Sequence, residues 1–152
     1  MKRGEMRSAA RLAAVQALYQ MEVAGAGVTA VLAEFESHWI GREVEGVAYK
    51  PAEAAFFRDV VGGVVLRQRR IDPGIDRVLA EGWPLKRVDA ILRAILRAGA
   101  YELAYRKDVP PRVTISEYVD IAHAFLERDE VGMVNAVLDK LARAERADDL
   151  RS

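Results

Sequence analysis

Val88-Asp89-Ala90-Ile91-Leu92-Arg93-Ala94-Ile95-Leu96-Arg97-Ala98-Gly99-Ala100-Tyr101-Glu102-Leu103 decides the fold class. Val88, Ile91, Leu92, Ile95, Leu96, Gly99 and Leu103 recur at helical spacing, so a helix from about Lys86 to Tyr105 carries an unusually wide apolar face. A face that wide belongs to a central helix covered on several sides. Working outward, Asp108-Val109-Pro110-Pro111 breaks this helix. Thr114-Ile115-Ser116-Glu117 then has capping-box form and predicts a helix to about Phe125. The polar turn Glu127-Arg128-Asp129-Glu130 leads into a last helix whose stripe is Val134, Val137, Leu138 and Leu141. From about Ala147 the tail is polar and expected to fray.

On the other side, Asp72-Pro73 reads as an N-cap and first-turn proline opening a helix with Ile75, Val78 and Leu79 inward, ending before Gly82-Trp83-Pro84. Pro51 opens the helix before it, which buries Phe56, Phe57, Val60, Val61 and Val64. Gly62-Gly63 sits inside that helix at a propensity cost of ~1 kcal/mol per glycine, a cost that close approach of a neighbouring helix would offset. Residues 40–50, with Gly41, Gly46 and mixed charge, read as a loop. Two further helices, about Glu5 to Ala24 and Val28 to Trp39, are separated by Gly25-Ala26-Gly27. No run of strand alternation stands out. The expectation is an all-α single domain of about seven helices.

Composition narrows the function classes. Lys and Arg total 23 and Asp and Glu total 23, so a polyanion would be drawn only by local charge asymmetry. The absence of cysteine removes thiolate nucleophiles, disulfides and cysteine-based metal sites, and fits a reducing compartment. Neither a signal peptide nor a membrane-spanning apolar run is visible, so a cytoplasmic location is expected. His38 and His123 lack metal-ligand spacing, no phosphate-cradling glycine motif is present, and the carboxylates are scattered among arginines as on solvated helix faces. No constellation asks for catalysis, and no cofactor or metal is expected.

Basic residues are more suggestive. Lys2, Arg3, Arg7 and Arg11 gather at the N-terminus against Glu5, and would offer phosphate oxygens several donors. The competing reading is a solubilising face. A second group, Lys86, Arg87, Arg93, Arg97, Arg106 and Lys107, could hold internal ion pairs or meet a protein partner.

Four ordered segments together resemble the NusB family of transcription antitermination factors. They are Arg11-Leu12-Ala13-Ala14-Val15-Gln16-Ala17-Leu18-Tyr19; Phe57-Arg58-Asp59-Val60-Val61-Gly62-Gly63-Val64 with Ile71-Asp72; Trp83-Pro84-Leu85-Lys86-Arg87 with Ala94 through Leu103; and Asp108-Val109-Pro110, Ile115 through Ala122, Phe125 and Val134 through Lys140. The resemblance implies two roughly perpendicular three-helix bundles. It also implies an RNA-binding, non-enzymatic role in antitermination, with single-stranded boxA-type RNA and NusE, a small-subunit ribosomal protein, as partners. Other antitermination factors and RNA polymerase would be reached indirectly. Transferred by position, the RNA site comprises Arg7 and Arg11, with Lys2 and Arg3, then Tyr19, Phe125 and Asp129. Partner docking falls on the central helix at Arg93, Arg97 and Glu102. Tyr19 is expected mainly to pack with its hydroxyl at the rim. Asp129 would either accept from a base or cap the last helix, and Asn135 would make structural hydrogen bonds. Leu92 stands where the family often has an acidic residue implicated in NusE contact, and Ser8, Ala9 and Ala10 interrupt a denser arginine run. Two other readings are a targeting domain of a ribosomal RNA methyltransferase system and a homodimer that masks its basic face.

Overall fold

In the computed structural model, which describes residues 3–38, 43–44, 47–48, 51–79 and 83–146, the elements run α1 (Arg3–Ala24), α2 (Val28–His38), β1 (Glu43–Val44), β2 (Val47–Ala48), α3 (Pro51–Val78), a 3-10 turn (Leu85–Arg87), α4 (Ala90–Tyr105), α5 (Pro111–Phe125) and α6 (Arg128–Glu145). Among the described residues the fold is all-α apart from one antiparallel contact, Glu43 opposite Ala48 and Val44 opposite Val47, in the stretch read as a loop. Two residues per strand are too few to leave a periodic signal in sequence.

α4 sits where its wide face requires. Leu92, Ile95, Leu96, Ala98 and Leu103 are buried in a core that takes in Val60, Val61 and Val64 of α3, Val15 and Leu18 of α1, Tyr118 and Ala122 of α5, and Val134 and Leu138 of α6. α1, α2 and α3 form one mutually packed group and α4, α5 and α6 another, joined where α4 meets α1 and α3. Arg11 pairs with Glu102 and Glu22 with Arg93, so α1 and α4 run antiparallel. Gly25, at φ 69°, ends α1 in the left-handed conformation that glycine adopts without strain.

Several boundaries differ from the sequence reading. The central helix begins at Ala90, after a separate 3-10 turn, rather than at about Lys86. The helices expected to divide at Asp72-Pro73 are one, α3, with Pro73 inside it. Asp72 does not cap: it accepts from Arg97 Nε and Nη2 at 2.9 and 2.8 Å. Pro73 and Arg69 are both exposed, so the hydrogen bond that proline forfeits lies on the water side, where its loss costs least. α5 begins at Pro111 rather than Thr114, because a proline at the first helical position gives up no needed donor. Thr114 is buried inside the helix with its hydroxyl unpartnered, and Glu117 is engaged by Arg11. The capping box belongs to α6, where the Glu127 N–H donates to Glu130 Oε1 at 3.3 Å.

The glycine pair behaves as two different residues. A Cβ on Gly63 would lie 2.2 Å from Tyr101 Cζ, so the expected close approach is real there, whereas Gly62 has nothing within 4 Å.

Candidate nucleic-acid interface

Arg7 and Arg11 lie one turn apart on α1, and both guanidinium groups sit over the ring of Phe56, 4.8 and 4.9 Å from its centroid. Arg106, just beyond α4, reaches the same ring at 4.8 Å. Cations gathered this closely repel unless carboxylates stand between them. Arg11 Nε and Nη2 donate to the two oxygens of Glu102 at 2.9 and 3.0 Å, and Nη1 donates to Glu117 Oε1 at 3.0 Å. The Tyr118 hydroxyl donates to Glu102 Oε2, and the Ser8 hydroxyl to Glu117. Arg106 donates to both oxygens of Asp108, at 3.0 and 2.9 Å, and to Asp59 Oδ2 at 3.1 Å.

Arg11 is 2% exposed and Glu102 0%. Two charges taken out of water this far persist only because each satisfies the other's hydrogen-bonding capacity. Burial works against the charge on Arg11, yet the hydrogen bond and charge of Glu102, helped by Tyr118 and Glu117, hold its pKa above the ordinary value. Burial, then the charge and hydrogen bond of Glu102, push Tyr118 well up. Tyr101, which donates to Asp59 Oδ1 at 2.8 Å, is pushed up to about 12 by burial and that bond. A raised native pKa means the folded state holds protons that the unfolded chain releases from about pH 10. Stability from these tyrosines is therefore complete below about pH 10 and falls as pH rises through the range to about 12. Urea midpoints measured from neutral to alkaline pH should show this decline, and Tyr101→Phe should make it shallower; a flat profile would refute the assignment.

A sequence profile described as the NusB family matches residues 8–143. The chain belongs to the NusB family. It is similar to the transcription antitermination protein NusB of Nitrobacter hamburgensis, 71% identical over 146 residues covering 96% of this chain and 91% of that one. To the protein of the same name from a Bradyrhizobium species, strain BTAi1, it is 69% identical over 149 residues, 98% of this chain and 88% of the other. Among solved structures, T. maritima NusB superposes with a TM-score of 0.81 at 29% identity, covering 96% of this chain and 97% of that one. The antitermination factor chain in a structure of NusB and NusE in complex with dsRNA shares the fold, with a TM-score of 0.77 at 22% identity over 95% of this chain and 99% of that one.

In this NusB-family chain the residues singled out from sequence divide into three groups. Arg11 and Glu102 are interior. Neither can meet a ligand or partner from solvent, which overturns their assignment to RNA and partner contact. Arg93 and Arg97 turn inward as well. Arg93 donates to the carbonyls of Leu85 and Val88, both at 2.8 Å, and pairs with Glu22; Arg97 grips Asp72. Of the two readings of that basic group, internal ion pairing holds for Arg93, Arg97 and Arg106, whereas Lys86, Arg87 and Lys107 are exposed. Leu92 is buried too. Arg7 remains half-buried against Phe56 near the surface.

Tyr19 and Phe125 are 40% and 44% exposed, so Tyr19 does not pack as expected. Asp129 is exposed in the first turn of α6 but is not its cap, which is Glu127. Asn135 and His123 are exposed. Lys2 lies outside the described residues; Arg3 is described only as the first residue of α1. The buried Arg11–Glu102 pair had one legible signal. A glutamate inside the apolar run from Ala98 to Leu103 demands a cation, and Arg11 stands among alanines that pack closely.

Proposed function

We propose that this chain is a non-enzymatic RNA-binding adaptor of transcription antitermination that engages boxA-type single-stranded RNA jointly with NusE. Membership in the NusB family, with a relative 71% identical that carries the antitermination name, is the observation that supports it most. The same names favour this reading over a methyltransferase targeting domain.

Phosphate contacts fall to Lys2, Arg3 and Arg7, while Arg11 acts as a brace that fixes α1 against α4 and α5. Tyr19 and Phe125 present ring faces on which unpaired bases can stack, and Asp129 can accept from a base amino group. So few cations bind RNA weakly alone, and a partner holding the same strand raises apparent affinity through effective concentration. NusE docking is retained without residues assigned to it.

Titrations with boxA-like and scrambled RNA, each with and without NusE, test this. Phe125→Ala and Tyr19→Ala should each weaken boxA binding by about 1–3 kcal/mol. Arg7→Gln should lower the slope of log affinity against log salt by about 0.7. Equal affinity for both RNAs under every condition would overturn the proposal.

A further inference from the structure

The second half of α3 reads Leu66-Arg67-Gln68-Arg69-Arg70-Ile71-Asp72-Pro73-Gly74-Ile75-Asp76-Arg77, and its charges are sorted by side. Asp72 is taken by Arg97, and Asp76 accepts the Leu85 N–H at 2.7 Å, so both carboxylates serve the turn into α4. Arg67, Arg69, Arg70 and Arg77 are exposed, and none is paired with a carboxylate among the described residues. Positions 67, 70, 74 and 77 share one helix face. Arg70, Gly74 and Arg77 form one wall of a groove of about 370 Å³, closed on the other side by Ala104 and Tyr105 of α4 and Glu145 of α6. Arg67 stands at the end of this groove, its guanidinium 5.0 Å from the centre of the Tyr105 ring. That ring is in turn stacked on Tyr101 at 5.3 Å.

We propose that this groove is a second binding track for the phosphate backbone of RNA, separate from the surface at the start of α1. The inference rests on the RNA-binding reading and extends it. Arg67 lies 11 residues beyond Phe56 on the same helix, which is ~16 Å of rise, so the groove is displaced along α3 from the surface at the start of α1. Arg67, Arg70 and Arg77 form a row spanning ~15 Å along the helix. The contact with the Tyr105 ring holds the Arg67 guanidinium at the groove, where its N–H groups can donate to phosphate oxygens. The groove walls are glycine and alanine beside an aromatic face, which suits a polyanion and a stacked base. Ile71 and Leu141 close the floor of the groove but are only 6% and 8% exposed, so they leave a protein partner little apolar surface to anchor on. Glu145, facing the arginines, moderates the attraction.

The test uses the full chain and fluorescent oligouridine, one long and one short, titrated across salt concentrations. Replacing three phosphate contacts, in Arg67→Gln/Arg70→Gln/Arg77→Gln, should reduce the salt slope for the long RNA by roughly 2 and its affinity at about 0.1 M salt roughly a hundredfold. Glu145→Gln should tighten binding of the same RNA. Should the wild-type chain bind no RNA, the RNA-binding reading falls and this inference with it. If the wild type binds and Arg7→Gln weakens it while the triple variant and Glu145→Gln match the wild type, only the second track is overturned. A polyglutamate arm separates the remaining source: loss of polyglutamate binding with RNA binding intact would assign the groove to an acidic protein and overturn the proposal. Glu145→Gln alone decides the matter if the triple variant does not fold.

Discussion

Glu102→Ala will lower the free energy of unfolding by about 3–5 kcal/mol, roughly 6–20 °C in melting temperature for a chain of this size. The mutation removes the bidentate acceptor of Arg11 and the acceptor of the Tyr118 hydroxyl, and leaves a guanidinium at 2% exposure. Glu117 still reaches one nitrogen at 3.0 Å, which keeps the loss from growing larger. Arg11→Met combined with Glu102→Met should recover most of the stability, because an apolar pair of similar volume avoids burying charge at all. Chemical denaturation of the two single variants and the double closes the cycle. Additive losses would show that the pair is not coupled and that Arg11 does not serve as a brace.

The second large effect is a change of sign between neighbours. Gly63→Ala will destabilise by about 1–3 kcal/mol or more, because the added methyl would sit 2.2 Å from Tyr101 Cζ and 2.5 Å from its hydroxyl oxygen. The displaced ring also carries the hydrogen bond to Asp59 and the stack on Tyr105. Gly62→Ala, one position earlier in the same helix with open space around it, will stabilise by about 0.5–1 kcal/mol through helix propensity. Denaturant midpoints of the two single variants measure both. Equal effects from the two changes would mean that α3 and α4 do not approach as closely as described.

Helix existence was legible from apolar spacing in nearly every case, since α1, α2, α4, α5 and α6 each carry one clear stripe. The failures came where a local signal competed with tertiary context. Asp72-Pro73 has the chemistry of a helix start, but Arg97 claims the carboxylate and the proline's missing bond faces water. Thr114 and Glu117 have capping-box spacing, but Pro110-Pro111 had already begun the helix. Arg7 and Arg11 are equivalent in sequence, one turn apart on a basic face. Only the packing of α4 and α5 reveals that the second faces a buried carboxylate while the first stays near the surface. Exposure of Tyr19 was equally hidden, because a tyrosine at helical spacing from Leu12 and Val15 has the pattern of a core residue.

The ion pairs that join α1 to α4 are made at Arg11 and at Glu22, 11 residues apart on α1 and about 16 Å along its axis. A one-turn slip of either helix past the other would break both clamps at once, so a sliding adjustment is closed to this pair. The register between the two helices is thereby fixed at both ends of α1.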